Sequence, residues 1–365
     1  MTRMTNVGDV AGVEALGRRA LESVGTVIVG KPEQLRTMWL AIMSEGHVLL
    51  EDFPGLAKTL IARSFAQVLG CSFRRVQFTP DLLPADITGA YIYDQSTREF
   101  KLRPGPLFAN VVLGDEINRA PPKTQSAMLE AMQEHQVTIE GDTYPLERPF
   151  IVFATQNPIE FEGTYPLPEA QVDRFLVRLS VGYPDEKEEE AIVQRRLERR
   201  RDETDIAPAC DAPTLLAAQQ TVEAVYVDPE LSQYIVAIVR KTRTHPHVEV
   251  GASPRGSLAL MKLARASAAA DGRDFALPDD VKRIAVAGLA HRLILKPDPW
   301  VKGIRAETIV KEIVDKMPVP KMKPPPEKEA RARMRVPVPA AVPAARPVPT
   351  QARQRTQPPP PPSAG

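Results

Sequence analysis

Residues 47–70 read HVLLEDFPGLAKTLIARSFAQVLG, and the rest of the chain is best parsed outward from them. The apolar run from Val48 to Glu51 predicts a buried strand. Pro54 and Gly55 predict a tight loop, and Lys58 and Thr59 open a helix of mostly good helix formers. A strand, a phosphate-sized loop, a lysine and a hydroxyl at a helix start are the parts of a P-loop. Loop N–H groups and the positive helix end suit phosphate oxygens. Lys58 suits the β and γ charges, and the Thr59 hydroxyl suits Mg²⁺. Pro54, Gly55, Leu56, Ala57 and Leu60 complete the expected phosphate contacts. The stretch departs twice from G-x-x-x-x-G-K-[ST], with Asp52 at the first glycine and Ala57 at the second. An ordinary strand–turn–helix with an exposed lysine is the competing parse, so the decision needs a second anchor.

That anchor is ANVVLGDEINRAPPKTQSAMLEAMQEH, residues 109–135. Val111 to Gly114 form a continuous apolar strand that ends in Asp115 and Glu116. In open α/β sheets ligands bind at the carboxyl edge, where this acidic pair would stand. Asp115 suits Mg²⁺ held through water, and Glu116 suits activation of a water for attack on a γ-phosphate. Met128, Ala131 and Met132 fall on one face of the following helix and read as core. A P-loop and an acidic strand end in one chain point to a nucleotide.

Around these anchors the pattern alternates. Residues 9–26 predict a helix, and Val29-Gly30-Lys31 a turn before a second helix at Pro32. Val29 would pack either on a purine base or within the core. Residues 71–108 hold a strand and then a turn-rich excursion with short β-like pieces, long for an α/β connection and therefore expected to be functional. A hairpin turning at Gly141-Asp142 leads to a buried strand ending at Thr155-Gln156-Asn157. Asn157 either reaches the attacking water or forms an Asx turn before Pro158. In PEAQVDRFLVRLS, residues 168–180, Arg174 closes a short helix and reads alone as a salt-bridge partner within its own chain. From residue 183 the chain is charged and then almost wholly helical to about residue 316, with Arg255 near a helix start in GASPRG.

Hydrophobic content of 43% with 25% charge is that of an ordinary globular protein. No run reaches membrane-span length and the N-terminus lacks a signal-peptide core, so a cytoplasmic location is expected. Cys71 and Cys210 lack metal-ligand spacing and suggest structural thiols in a reducing compartment. The net charge of +1 conceals an asymmetry. From residue 318 onward nine Lys/Arg face two Asp/Glu, giving +7 and leaving −6 for the rest. An acidic body does not favour stable nucleic-acid binding. The tail itself holds 15 of the 37 prolines and cannot bury a core.

Together these residues resemble the MoxR family of AAA+ ATPases over about residues 9–317. The resemblance implies an α/β P-loop AAA+ core with a parallel sheet of order 5-1-4-3-2 flanked by helices, and a small all-helical lid. It divides the chain into an N-terminal helix (1–27), the core (28–182, with an insert at 77–107 and a hairpin at 136–149), the lid (183–317) and the tail (318–365). It implies ATP and Mg²⁺ as cofactors, with Asp115 and Glu116 as the Walker B pair and Asn157 as sensor 1. Arg174 becomes an arginine finger offered to a neighbouring subunit. Arg255 becomes sensor 2, reaching the γ-phosphate of its own chain, and the lid would turn against the core at 182–186. The implied assembly is a hexameric ring working with a von Willebrand factor A domain protein on a client protein. Its activity would be chaperone-like remodelling driven by ATP hydrolysis, the alternative being a helicase-like nucleic-acid motor.

Overall fold

The computed structural model describes residues 7–157, 163–201, 204–297 and 303–322. The tail from residue 323 lies outside the described residues. Five parallel strands form the central sheet: β1 (Val48–Glu51), β2 (Phe73–Gln77), β5 (Val111–Asp115), β8 (Ile151–Gln156) and β9 (Val177–Leu179). Their order is β2-β5-β8-β1-β9, which is 5-1-4-3-2 read from the other edge. The two remaining pairs before β9 are hairpins outside the sheet. β3 (Gly89–Asp94) and β4 (Glu99–Pro104) lie in the first insertion, and β6 (Gln136–Ile139) and β7 (Asp142–Pro145) in the second. A hydrogen bond between the Tyr91 and Tyr144 hydroxyls joins the two insertions.

Period-two side chains decide the layers. Val48, Leu50, Val111, Leu113, Ile151 and Phe153 point to one face, and Leu49, Val112, Val152 and Ala154 to the other. The second face is covered by α5 (Pro122–Glu134) through Met128, Ala131 and Met132, as their spacing predicts. Gly114 permits the close approach, since a Cβ there would stand 2.9 Å from the Met128 sulfur.

The first face is covered by α1 (Val10–Gly25), α2 (Pro32–Met43) and α3 (Lys58–Val68). Asp9 caps α1 by accepting the Gly12 N–H at 2.8 Å. α1 buries Val13, Leu16, Ala20 and Val24 in one stripe. Helices α4 (Pro84–Thr88) and α6 (Glu169–Val172) are single turns, and α7 (Glu186–Arg199) buries no residue.

The C-terminal helices are α8 (Ala212–Glu223), α9 (Pro229–Arg243), α10 (Pro254–Ala270), α11 (Pro278–Leu289) and α12 (Ala306–Lys316). One expectation changes here. The lid is not wholly helical, because β10 (Val248–Val250) pairs antiparallel with β11 (Ile294–Leu295). The lid also packs on the core. Its Leu260, Leu263, Val281 and Ile284 belong to the same hydrophobic cluster as Leu50, Phe65 and Phe153 of the core. Turning it away would expose apolar surface at about 25 cal/mol per Å². Arg178 on β9 adds a polar tie, pairing with Glu51 at 3.1 Å and with Glu307 of α12 at 2.9 Å.

The two cysteines, distant in sequence, meet at one place. Both sulfurs face the Leu69 carbonyl, at 3.5 Å for Cys71 and 3.9 Å for Cys210. Burial pushes their thiols up to about 11 and about 12, so neither supplies a thiolate nucleophile.

Candidate nucleotide site

At the carboxyl edge of the sheet a cavity of about 430 Å³ is lined by residues 54–60 together with Arg75, Gln77, Asp115, Glu116 and Asn157. It gathers Pro54, Gly55, Leu56, Ala57, Lys58, Thr59, Leu60 and both acids as the sequence predicts. The loop turns through two left-handed residues, Gly55 at φ +83° and Ala57 at φ +53°. A Cβ on Gly55 would meet nothing within 4 Å, so backbone angle and not space requires glycine there. Ala57 adopts such an angle with a Cβ, which costs about 1 kcal/mol. Glu116 is left-handed as well, at φ +56°, and its strain also falls on a residue facing the cavity.

Asp52 explains the other departure from the pattern. Its carboxylate is buried and accepts the Gly182 N–H at 2.9 Å, the Ser180 hydroxyl at 3.2 Å and the Val181 N–H. The side chain that replaces glycine thus pins the loop to the segment after β9. Its carbonyl accepts the Lys58 ammonium at 2.6 Å. Burial lowers the Lys58 pKa, while Asp52, Asp115 and Glu116 oppose that shift.

The acidic pair is held by neighbours that sequence reasoning missed. Thr155 on β8 donates to Asp115 Oδ1 at 2.6 Å and accepts the Glu116 N–H at 2.8 Å. Arg75 on β2 donates twice to Asp115 Oδ2, at 3.0 and 2.7 Å. Gln77, two residues on and so on the same side of the strand, donates to Glu116 Oε2 at 2.6 Å. Arg119 reaches that oxygen at 3.1 Å. The only available signal was the i, i+2 spacing of Arg75 and Gln77, which is mute until β2 is known to lie beside β5.

The donor set fits Mg²⁺ with a triphosphate. The Thr59 hydroxyl and the Asp115 carboxylate are hard oxygen ligands. A concave run of loop N–H groups leads into the start of α3, with the Lys58 ammonium at the same wall. Val29 does not line this cavity. Its turn is tied to the segment after β9, with Lys31 donating to the Tyr183 carbonyl at 2.8 Å and pairing with Glu188 at 3.1 Å.

Arg174 and Arg255 meet at a different place. Both line a cavity of about 280 Å³ with Glu45, His47, Lys262 and Arg292. Strand register places it at the opposite edge of the sheet. Val48 pairs with Val177 and Leu50 with Leu179, so Arg174 stands ahead of the strands and Lys58 beyond their far end. Four residues of β1, about 13 Å, intervene. This corrects the expectation that Arg255 serves its own chain's γ-phosphate. The cause is the packing of α10 against α1 and α2, which sets the start of α10 beside Asp173, with the Arg255 Nε 4.0 Å from that carboxylate. Arg174 forms no ion pair among the described residues. Its Nη1 donates to the Leu129 carbonyl at 2.8 Å, and its Nε is buried without a partner.

A parallel sheet in this order, a phosphate loop after β1, an acidic pair after β5 and a helical lid define an AAA+ nucleotide-binding protein. Comparison with known proteins agrees. The family described as ATPase family associated with various cellular activities (AAA) matches residues 47–177, and the AAA lid domain matches residues 240–313. The uncharacterized protein YeaC of Bacillus subtilis is 49% identical over 302 residues, covering 83% of this chain and 94% of its own. Chaperone MoxR1 of Mycobacterium tuberculosis is 44% identical over 313 residues, covering 83% and 82%. The crystal structure of a candidate ATPase from Cytophaga hutchinsonii aligns with a TM-score of 0.80 at 39% identity, over 86% of this chain and 97% of that one. The chain belongs to the MoxR family of AAA+ ATPases.

Proposed function

We propose that this protein binds ATP with Mg²⁺ in the Lys58 cavity, hydrolyses it within a hexameric ring, and uses the cycle to remodel protein complexes. One observation carries this reading. The groups that grip and attack a triphosphate open on one edge of the sheet, and the two arginines able to complete the site open on the other. One subunit would then supply the cavity and its neighbour the arginines.

Phosphoryl transfer needs positioning and charge neutralisation rather than covalent catalysis by the protein. Lys58 and the loop N–H groups would hold the β- and γ-phosphate oxygens. Thr59 and Asp115 would hold Mg²⁺, which supplies further charge neutralisation at those oxygens. Glu116, oriented by Gln77, would take a proton from the attacking water, and Asn157 would orient that water. Arg174 and Arg255 of the neighbour would meet the charge developing on the γ-phosphate.

The remodelling role rests on kinship with the chaperone MoxR1, and a von Willebrand factor A domain protein is the proposed partner. Among the described residues no helix is long and apolar enough to cross a membrane, so a membrane-spanning role finds no support there. The test is a pair of measurements on Glu116→Gln. We expect ATP affinity within about threefold of the parent and phosphate release lower by roughly 10² or more, as for loss of a general base. Equal phosphate release would remove Glu116 from its role. Absence of ATP binding by the parent would end the whole reading.

A further inference from the structure

Two charged residues, the buried Arg292 and the partly buried Asp173, have no role yet in the proposed reaction. Arg292 lies in the short turn after α11, nearly out of reach of solvent. Its Nε donates to the Gly288 carbonyl at 2.8 Å and its Nη2 to the Phe175 carbonyl at 2.8 Å. Its Nη1 donates to the Asp173 carbonyl at 2.7 Å and pairs with Asp173 Oδ1. The other Asp173 oxygen accepts the Ser253 hydroxyl at 3.2 Å and faces the Arg255 Nε at 4.0 Å. One carboxylate therefore joins three pieces of chain: the α6–β9 turn that carries Arg174, the turn after α11, and the start of α10 that carries Arg255.

We propose that Asp173 and Arg292 are positioning residues that hold Arg174 and Arg255 as one pair, presented together to the triphosphate of the neighbouring subunit. The inference rests on the two-subunit reading above. Its physical basis is preorganisation. Among the described residues Arg174 is anchored through a single Nη1 bond, and half of the Arg255 side chain is exposed. Long flexible side chains lose rotamer freedom when they engage a ligand, and each misplaced donor forfeits transition-state stabilisation. The brace removes the largest source of error, the position of one backbone segment relative to the other. Asp173 is matched closely by Arg292 and meets Arg255 only at 4.0 Å, so Arg174 and the half-exposed Arg255 keep charge to offer phosphate oxygens.

Because the same ion pair also supports lid packing, a loss of stability alone does not separate the two roles. Subunit complementation of the full-length chain does. Asp173→Asn alone should bind ATP within about threefold of the parent and turn it over roughly 10²-fold more slowly, the scale of a misplacement near 1 Å. Mixed in equal amounts with Glu116→Gln, it should regain a substantial part of the lost turnover. The Glu116→Gln subunit offers intact arginines to the intact phosphate cavity of Asp173→Asn. Arg174→Ala mixed in the same way is the control.

Rescue of Arg174→Ala without rescue of Asp173→Asn overturns the brace and leaves the two-subunit reading standing. Rescue of neither overturns that reading. Parent-like turnover by Asp173→Asn also overturns the brace. If Asp173→Asn does not bind ATP, Arg292→Lys and Ser253→Ala are measured identically, and parent-like turnover in both is equally fatal.

Discussion

The two edges of this sheet are built on opposite principles. At the carboxyl edge the chemistry comes from backbone: a loop with two left-handed residues, a strained Glu116, and carboxylates held by hydroxyl, amide and guanidinium neighbours. At the amino edge Glu45 and His135 are left-handed as well, but the chemistry comes from long cationic side chains, braced by Asp173 and by main-chain carbonyls. A polyphosphate needs many short, fixed donors around it, which a loop provides. A group that must cross to another subunit needs reach, which a guanidinium provides. On the proposed two-subunit reading, the difference means that neither edge is a complete site by itself.

The sharpest way to break this contrast is to disable each edge separately. Lys58→Ala should abolish ATP binding, measured by fluorescence titration or calorimetry. Arg174→Ala should leave binding in place and lower turnover by roughly 10³–10⁵, the range seen for arginine fingers. Loss of ATP binding in Arg174→Ala, with the fold intact, would put both functions on one edge and dissolve the distinction.

A second test uses acid. The amino edge rests on histidines kept neutral. His47 accepts the Val152 N–H at 3.0 Å, its Nε2 lies 3.0 Å from the Met132 carbonyl, and burial lowers its pKa to about 4. His291, at 3.1 Å from the Phe175 carbonyl, is pushed well below the usual range by burial and by Arg292. A folded pKa below the unfolded one means that only the unfolded chain takes up the proton between them. Stability is therefore complete above about pH 6.5 and declines as pH falls toward 4, by about 3 kcal/mol for His47 alone. Urea unfolding at several pH values should show that slope, and His47→Gln should reduce it. No histidine lines the phosphate cavity, so a slope unchanged in His47→Gln would assign the acid sensitivity elsewhere.

The smallest effects come from two substitutions that each restore the phosphate-loop pattern. Asp52→Gly should destabilise by about 1–3 kcal/mol, since it strands the N–H groups of Val181 and Gly182 that the carboxylate now accepts. Ala57→Gly should stabilise by up to about 1 kcal/mol by relieving a left-handed alanine. Thermal unfolding measures both. The same sign for the two would mean that the pattern, and not the local geometry, governs this loop.

The edges also differ in how much of them could be read from sequence. The phosphate edge was legible because its parts are local: residues 54–60 are contiguous, and Asp115 and Glu116 close an apolar run. Sheet order followed from resemblance to the family and agrees with the structure. The amino edge was not legible from spacing. Asp173, Ser253 and Arg292 are scattered over some 120 positions, and only lid packing brings them together. The same packing explains why Arg255 was placed on the wrong edge. Motif and family imply a role for it without a position, and position depends on how α10 lies against α1 and α2. Val29, which does not line the phosphate cavity, keeps both of its expected roles open, because an apolar turn carries no information about what it packs on.

The most direct measurement is specific ATPase activity across a range of protein concentrations, with oligomer mass followed by analytical ultracentrifugation in the same solutions. A site shared between subunits predicts negligible turnover per chain where the protein is monomeric, rising in step with the assembled fraction. Full turnover per chain by the monomer would contradict it.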